Sequence, residues 1–508
     1  MIKKKIKFLM VFFLIIFTIF RFDLSERALQ YDQGDYGYTA YKMLYDNYEF
    51  LDIFDNKPIG TYIIYMSFIK TFGVRPLSLH LISVISDILI MLLIFLLGYI
   101  LYNKSIGLFA ASIYSLMYYS FTMSFYGFLE SPMMVFSLLS ILFYFLYFKK
   151  NKNIFLFLSG ISLGISFFIK QPAIILLPIF LIHLFFFKNR VKSLDVNFYK
   201  ISLSIISGFL LICSVVIVYL IKKGLLIKFI YFVFYFSFTY RDPTHPLSFM
   251  LKYFFTVMPF LAILSFCGIY ALFKMRSFHN SFLLIWLFMN VLFLFLASDF
   301  QQHYLIQIVP VLVIITSYFL YKTKKNMFIS LIFILFLIYN ITFSFSDIYL
   351  AHHNKVVFER GITDYFERDA IYFIQNKLFG NGLHGTYIYN NKYQQTLFID
   401  YMESNLAPND RISSSVPTFP LLLNRTNHFK GEIGMLPMIR SFYDMSDLPE
   451  YASRSKFFVY ALWQEKRGYI SSKFIECIKK NWHLVDEISY YNIMVFENTD
   501  NLVCKSVW

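Results

Sequence analysis

Long apolar stretches recur along most of this 508-residue chain, and they limit its fold more than any single motif does. A helix needs about 20 mostly apolar residues to cross a membrane, and about eleven stretches approach that length. They lie at residues 6–20, 79–102, 105–124, 131–148, 154–169, 173–187, 200–221, 251–273, 280–298, 304–321 and 326–346. With 58% hydrophobic and only 15% charged residues, the composition excludes a soluble globular, disordered or fibrous protein. We therefore predict a polytopic α-helical membrane protein.

Basic residues indicate which side of the membrane each connection faces. The segments around residues 149–152, 188–192 and 322–325 are rich in Lys and Arg, and Asp195 is the acid that occurs among them. Because cytoplasmic loops carry an excess of Lys and Arg, these segments and the N-terminus are predicted to be cytoplasmic. The first apolar run lacks a small-residue cleavage site and is predicted to be a retained anchor. The net charge of +15 then reflects topology and anionic headgroups, not nucleic acid.

The sequence predicts two domains, a transmembrane domain at 1–348 and an extracytoplasmic α/β domain at 349–508. Acidic and basic residues nearly balance in the second. A helix, a turn and a strand are predicted around 398–417, and further strands at 456–462 and 490–498. Cys477 and Cys504 are predicted to pair in this compartment, where disulfides persist; two free thiols are the alternative.

The first outer loop has helical organisation. Tyr41, Leu44, Tyr45 and Tyr48 recur at helical spacing, which predicts an amphipathic interfacial helix after Asp32. A second such helix is predicted from Ile59 to Phe72, directly after Pro58. Two helices along the outer leaflet would frame a cavity at the membrane surface. Such a cavity suits a lipid substrate with a polar head.

Charged and titratable residues cluster at the outer ends of the predicted spans. These are Glu130, Lys170, Arg241, Asp299 and His303. Their convergence on one face predicts an outward-facing site. Asp87 is different because it lies within a span, where an acid is costly. It is either functional or paired with Arg75 or a neighbouring hydroxyl.

Two other motifs carry no function in this interpretation. Gly160–Gly164 matches the pattern of a nucleophile elbow, but it lies in an apolar span, where small residues four apart favour close helix packing. His352 and His353 lack further ligands at metal-site spacing and are predicted to be a solvated loop.

Four passages resemble a known family. Residues 31–62 resemble the first outer loop of polyprenyl-phosphate-sugar-dependent glycosyltransferases of the C superfamily, of the protein mannosyltransferase and lipid A aminoarabinose transferase type. In that loop Asp32 matches the first acid of an acidic pair, and Lys57-Pro58 matches most of a Lys-Pro-Pro motif. Further matches are FYGFLESPMM at Glu130, LSGISLGISFFIKQPA at Lys170, and DFQQHYLIQIVP at His303-Tyr304. Gln33 departs from the family's second acid, and Ile59 departs from its second proline.

The resemblance implies an integral-membrane enzyme that transfers a sugar from a polyprenyl-phosphate donor to a lipid, glycan or protein acceptor, with inversion. It assigns Asp32 as the base and Glu130 as a second acid that orients the acceptor or a metal. Donor-phosphate candidates are Lys170 and His303, then Lys57 and Arg241; the secondary candidates are Asp35, Tyr304 and Asp87. A divalent metal at Asp32 and Glu130 is left open, and the expected partners are the donor, the bilayer and an unknown acceptor.

Purely structural roles are the alternative for these residues, and other membrane functions are the alternative for the protein. In the structural alternatives, the sole role of Asp32 is to cap the interfacial helix, Lys170 extends to the interface, and His303 forms a buried pair with Glu130. A transporter or flippase of a lipid-linked sugar would instead require polar mid-span residues and internal repeats. An envelope polymerase or ligase is a further transferase alternative.

Overall fold

The computed structural model describes the helical part of the chain and four strands. The described residues are 31–45, 50, 56–124, 128–187, 197–236, 247–275, 277–297, 300, 302–323, 412–414, 457–461, 483–488 and 493–497, with isolated positions within 11–21, 333–340 and 476–480. Arg241, Asp299, His352, His353, Cys477 and Cys504 lie outside the described residues, so the predictions that concern them stay predictions.

The described membrane part consists of helices. The α-helices are α1 Tyr31–Tyr45, α2 Ile59–Phe72, α3 Pro76–Leu101, α4 Lys104–Leu116, α5 Tyr118–Met123, α6 Glu130–Lys150, α7 Ile154–Ile169, α8 Leu176–Phe187, α9 Phe198–Lys222, α10 Leu226–Phe229, α11 Leu247–Val257, α12 Pro259–Lys274, α13 Phe278–Ala297 and α14 Val309–Thr323. Short 3₁₀ segments cover Gln171–Ile175 and Gln302–Gln307, and a π-helix covers Ile230–Phe236.

The prediction of a multi-pass membrane protein agrees with these helices. Among the described residues, α3, α6, α9 and most of α13 are long and apolar enough to cross a membrane. Shorter apolar helices include α7, α12 and α14. The face of α9 carries exposed Leu203, Leu210 and Val215, as expected for contact with lipid. The number of spans, about eleven from the sequence, stays a prediction.

Two predicted spans are interrupted. The stretch predicted at 105–124 is divided between α4 and α5, because Met117 adopts an extended conformation. The amide thereby released at Tyr118 donates to Oδ1 of Asn340 at 2.9 Å. The stretch predicted at 251–273 breaks before Pro259, which begins α12 and has no amide hydrogen for the preceding turn.

Glycine allows α7 and α9 to pack closely, as the small-residue pattern predicted. A Cβ added at Gly160 would lie 2.0 Å from the carbonyl oxygen of Ile205, and one at Gly208 would lie 2.1 Å from that of Phe157. Only glycine tolerates such a backbone approach. The motif at 160–164 is therefore a packing element in a helix and not a nucleophile elbow.

The two helices expected in the first outer loop are present, but only α2 has the expected exposed face. Helix α2 has the predicted bounds, and one of its faces is buried while Ile63 is 50% exposed. Helix α1 is buried on nearly all sides from residue 33 to 42. The expected exposed face is absent there because the polar side chains find neighbours inside the protein, as Lys42 does over the Tyr38 ring.

Asp87 forms a buried ion pair, but with Arg21 rather than with the predicted Arg75. The carboxylate binds the Arg21 guanidinium and also accepts the Tyr114 hydroxyl at 2.6 Å. Arg21 donates further to the Ser115 carbonyl at 3.2 Å and to the Ser120 hydroxyl at 3.1 Å. Arg75 is exposed at the start of α3. The expectation of a hydroxyl partner for Asp87 is met by Tyr114.

The four strands form one sheet in the order β1-β2-β4-β3, where β1 is Ile412–Ser414, β2 Phe457–Ala461, β3 His483–Ile488 and β4 Ile493–Glu497. Strands β1 and β2 are parallel, and β4 is antiparallel to both β2 and β3. Strands β1, β2 and β4 lie where the sequence predicted strands, and β3 pairs with β4 as an antiparallel hairpin. The division at residue 348 and the full α/β domain stay predictions.

Candidate functional site

Glu130 is the first residue of α6, and its carboxylate is at the centre of a buried cluster. The side chain is 1% exposed, and its Oε1 atom binds the Lys170 ammonium. Nε2 of His303 lies 3.3 Å from the same oxygen. An acid in the first turn of a helix is also favoured by the helix dipole. The structure thus brings together three of the predicted site residues.

Lys170 directly follows α7, and its backbone there is extended at φ −153° and ψ 130°. The helix cannot continue in the same direction, because Pro172 enters the following 3₁₀ turn. The Lys170 side chain is only 13% exposed, and its ammonium also lies 5.2 Å from the centre of the Tyr304 ring. It is therefore held inside the protein, and the alternative of a lysine extending to the interface does not apply.

His303 is fixed from two sides. Its ring stacks on Phe128 with the ring centres 4.3 Å apart, two residues before Glu130. The Tyr119 hydroxyl donates to the His303 backbone carbonyl at 3.4 Å. The structure contains the pair between His303 and Glu130 that the sequence analysis gave as an alternative. Both partners are charged only when the imidazole is protonated.

Helix α2 packs directly against the end of α7, just before Lys170. The Thr61 hydroxyl donates to the Ile169 carbonyl at 2.8 Å. A Cβ added at Gly60 would lie 2.4 Å from the Phe168 carbonyl oxygen, so the two backbones are in contact. This contact fixes the start of α2, and with it Lys57 and Pro58, against the segment that carries Lys170.

Lys57 is half-buried beside α1. Its ammonium donates to Oδ1 of Asn56 and lies 5.8 Å from the centre of the Tyr36 ring. Gln171, the neighbour of Lys170, donates to the Asn56 carbonyl at 3.3 Å and to the Val233 carbonyl at 2.9 Å. Gln171 thereby links the segment of Lys57 to the segment of Lys170.

Three carboxylates influence the buried Tyr65 hydroxyl electrostatically. Tyr65 of α2 is fully buried and packs edge-to-face on Tyr36, with the ring centres 5.6 Å apart. Burial raises the pKa of Tyr65 well above its usual value, and the charges of Asp32, Asp35 and Glu130 raise it further. The charges of Asp32 in α1 and Glu130 in α6 thus both raise the pKa of this hydroxyl, although the two acids belong to different parts of the chain.

Gln33 occupies the position where the resembled family has a second acid, and it faces a histidine. Its amide donates to Nδ1 of His80 at 3.2 Å, and both residues are fully buried. Gln33 therefore brings an uncharged amide next to Asp32 in the sequence.

The remaining candidates lie apart from this cluster or support it. Asp35 is one turn after Asp32 and is 7% exposed. Asp87 belongs to the separate pair with Arg21. The described residues contain no group of three or more His, Cys, Asp or Glu placed to hold a metal ion. At Glu130, moreover, Oε1 already binds the Lys170 ammonium.

Sequence reasoning missed Tyr65, Gln171 and Arg21. Gln171 stood within the matched passage beside Lys170, so that passage was the available signal. Tyr65 is one of 40 tyrosines and has no local pattern that distinguishes it. Arg21 lies 66 residues from Asp87, and such long-range pairing leaves no local signal.

Comparisons with known proteins agree with the resemblance. Residues 55–219 match the family model of dolichyl-phosphate-mannose-protein mannosyltransferase. The fold matches that of ArnT from Cupriavidus metallidurans in the apo state, with a TM-score of 0.64 and 11% identity over 100% of both chains. ArnT from the same organism bound to undecaprenyl phosphate gives a TM-score of 0.61 and 11% identity, over 98% of this chain and 99% of that one.

A more distant similarity is to the archaeal oligosaccharyltransferase AglB from Archaeoglobus fulgidus, in complex with an inhibitory peptide and a dolichol-phosphate. It has a TM-score of 0.51 and 12% identity, over 97% of this chain and 74% of that one. A search of curated protein sequences found no match. At these identities the structures establish a shared fold. Together with the family match, they confirm that this multi-pass membrane protein is similar to the C-superfamily glycosyltransferases.

Proposed function

We propose that the protein transfers a sugar from a polyprenyl-phosphate donor to an acceptor hydroxyl at the outer face of the cytoplasmic membrane, with inversion. The observation that carries this proposal is the meeting of Glu130, Lys170 and His303 at one helix end. The charges of Asp32 and Glu130 both raise the pKa of Tyr65, which supports a place for Asp32 near this cluster. The cluster supplies the two proposed phosphate partners, and Asp32 is the proposed base. The acceptor is a lipid, a glycan or a protein.

The reaction is a single displacement. The acceptor oxygen bonds to the anomeric carbon while the bond from that carbon to the phosphate oxygen breaks, and polyprenyl phosphate leaves. Asp32 receives the proton of the acceptor hydroxyl. Its position in the first turn of α1 suits this role, because it is half-buried and remains more accessible than Asp35.

Lys170 and His303 stabilise the departing phosphate, and Glu130 holds both of them in place. An ammonium has three N–H donors, so Lys170 can bind Glu130 and a phosphate oxygen together. Glu130 is thus assigned a positioning role in place of the acceptor-orienting role implied by the resemblance. Lys57 provides a second cation from the start of α2, and Tyr304 forms one wall beside Lys170.

We further propose that the transfer requires no divalent metal. Compensation of the phosphate charge falls to the Lys170 ammonium, which binds Oε1 of Glu130. Removal of divalent ions with EDTA is expected to leave the transfer rate unchanged. A loss of activity that Mg²⁺ or Mn²⁺ restores would contradict this part of the proposal.

Transport of a lipid-linked sugar is the alternative function. Several polar groups inside the described spans are engaged within the protein, as Arg21 is with Asp87 and Ser137 with Ser166. A path for a sugar head needs polar groups that face a passage. These contacts favour the transferase.

Mass spectrometry of lipids that co-purify with the protein identifies the donor and so tests the function. The purified protein, reconstituted with that donor and a membrane extract, is then expected to release polyprenyl phosphate and to glycosylate an acceptor. If the sugar remains attached to its lipid and only changes leaflet, the protein is a transporter and the proposal is wrong.

A further inference from the structure

Four serines form hydrogen bonds across the hairpin of α6 and α7. The Ser140 hydroxyl donates to the Ser159 carbonyl at 2.8 Å, and the Ser159 hydroxyl donates to the Ser140 carbonyl at 2.8 Å. Nearer the candidate site, Ser166 donates to the Met133 carbonyl at 2.7 Å, and its hydroxyl oxygen lies 2.8 Å from that of Ser137. All four serines are at most 3% exposed.

This pattern differs from that of other serines in the same protein. Ser207, Ser214, Ser265 and Ser317 each donate to a carbonyl three or four residues earlier in their own helix. Such a bond is available to any helical serine and needs no neighbouring helix. The serines of the α6–α7 hairpin instead bond to the partner helix, so their contacts depend on how the two helices are aligned.

The cross-helix bonds select one alignment of α6 against α7. Apolar helices in a membrane lack a strong preference for one register, because side chains such as leucine pack as well against lipid as against each other. A shift by one residue would move one helix by about 1.5 Å and turn its side chains away from their partners. The hydroxyls would then lose these bonds in an environment without water.

The same alignment brings Glu130 to Lys170. Glu130 begins α6 and Lys170 follows α7, so the two residues are at the same end of this antiparallel hairpin. Ser166 is one turn before Lys170, and its acceptor Met133 is in the first turn of α6. Ser140 and Ser159 repeat the contact deeper in the hairpin.

We propose that Ser137, Ser140, Ser159 and Ser166 are positioning residues that set the register of the Glu130–Lys170 ion pair. The proposal rests on the assigned role of Lys170 as a partner of the donor phosphate. The serines act through the ion pair and do not touch the substrate. Their loss is therefore expected to lower the rate of transfer at saturating donor.

The first test is the double variant S140A/S159A, which changes the pair farther from the site. We expect its single-turnover rate at saturating donor to fall roughly tenfold, with the amount of folded protein in the membrane retained. The matched control is S207A/S214A, because these serines bond within α9 and lie exposed on it. The control is expected to keep the full rate.

A register measurement that does not depend on activity accompanies the rates. In the S137C/S166C variant, which keeps Ser140 and Ser159, the two introduced cysteines are expected to form a disulfide with each other rapidly. When S140A/S159A is added, the same disulfide is expected to form several-fold more slowly. Peptide mass spectrometry identifies the linked pair. Separately, the reduced S140C/S159C variant is expected to lose transfer rate, and oxidation to the disulfide is expected to restore it. This variant also tests the proposal if the alanine variant does not fold.

The outcomes separate this inference from the proposed function. Unchanged crosslinking, an unchanged saturated rate in S140A/S159A, or a failure of the S140C/S159C disulfide to restore transfer would each overturn the positioning role. A wild-type protein that transfers no sugar would contradict the proposed function instead. In that case the crosslinking still decides whether the serines set the register.

Discussion

The Lys170 ammonium and the Glu130 carboxylate form a buried ion pair between residues 40 positions apart, one after the end of α7 and one at the start of α6. The contact closes the end of the α6–α7 hairpin. His303 joins it from the segment before α14, at 3.3 Å. Removing either Lys170 or His303 therefore alters both the groups available to the donor phosphate and the contacts of the Glu130 carboxylate.

Lys170 and His303 are expected to act on the transition state. If both stabilise the leaving phosphate, each interaction strengthens as negative charge develops there. Lys170→Met and His303→Ala should each lower the single-turnover rate at saturating donor on the order of 10²-fold, as for loss of one oxyanion donor. Loss of donor affinity alone, with an unchanged saturated rate, would reduce both residues to holding the lipid. If neither variant changes anything, the phosphate site lies elsewhere, and Arg241 is the next candidate.

The Tyr65 hydroxyl is expected to contribute as a neutral donor. Its pKa is raised by burial and by three carboxylates, so the hydroxyl keeps its proton over the usual assay range. Tyr65→Phe removes the donor, and we expect about a tenfold lower rate, in line with the worth of a hydrogen bond to a charged group. The pH profile should keep its shape. Tyr62→Phe on the same helix is the control, and equal losses in both variants would argue for a general packing effect.

Gly60→Ala is expected to disturb the contact of α2 with α7. Its Cβ would lie 2.4 Å from the Phe168 carbonyl oxygen, and neither backbone can move without shifting a helix. We expect a destabilisation of about 1–3 kcal/mol, as for overpacking elsewhere, measured by thermal unfolding in detergent. The exposed Ser67→Ala on α2 should have no such effect. Full stability of Gly60→Ala would show that α2 is not held against α7 as described.

The pair of Arg21 and Asp87 is expected to stabilise the fold rather than to catalyse. Arg21→Met leaves a buried, uncompensated carboxylate, which should cost about 3–5 kcal/mol. Removing both charges in Arg21→Met with Asp87→Leu should recover much of that loss. Thermal unfolding measures both variants, and transfer per folded molecule should stay close to wild type. A large loss of rate in a fully folded Arg21→Met protein would assign the pair a role in catalysis.

Local patterns in the sequence predicted the local features of the structure. Pro58 before an apolar run gave the bounds of α2, and glycines four apart predicted close packing of α7, although not that α9 is its partner. The pairing of His303 with Glu130 was among the stated alternatives because both residues end predicted spans on one side. For α2 and α7 the required information lies within one helix or at its end.

Contacts between distant segments could not be predicted in the same way. Lys170 was expected to bind phosphate, but its contact with Glu130 depends on the alignment of α6 and α7. Arg21 reaches Asp87 across 66 residues, and Gln33 reaches His80 across 47. The burial of α1 also escaped the pattern, because amphipathic spacing does not tell whether lipid, water or protein covers a helix face.

The rate of sugar transfer by Asp32→Asn tests the central claim most directly. The measurement is single-turnover transfer at saturating donor by purified wild type, Asp32→Asn and Asp35→Asn, each with its thermal unfolding recorded. Asparagine preserves the size of the side chain but cannot accept the acceptor proton as a carboxylate does. We predict no detectable transfer by the folded Asp32→Asn protein, which should still bind the donor. Wild-type turnover by Asp32→Asn would contradict the account, and loss of turnover in Asp35→Asn alone would transfer the role of base to Asp35.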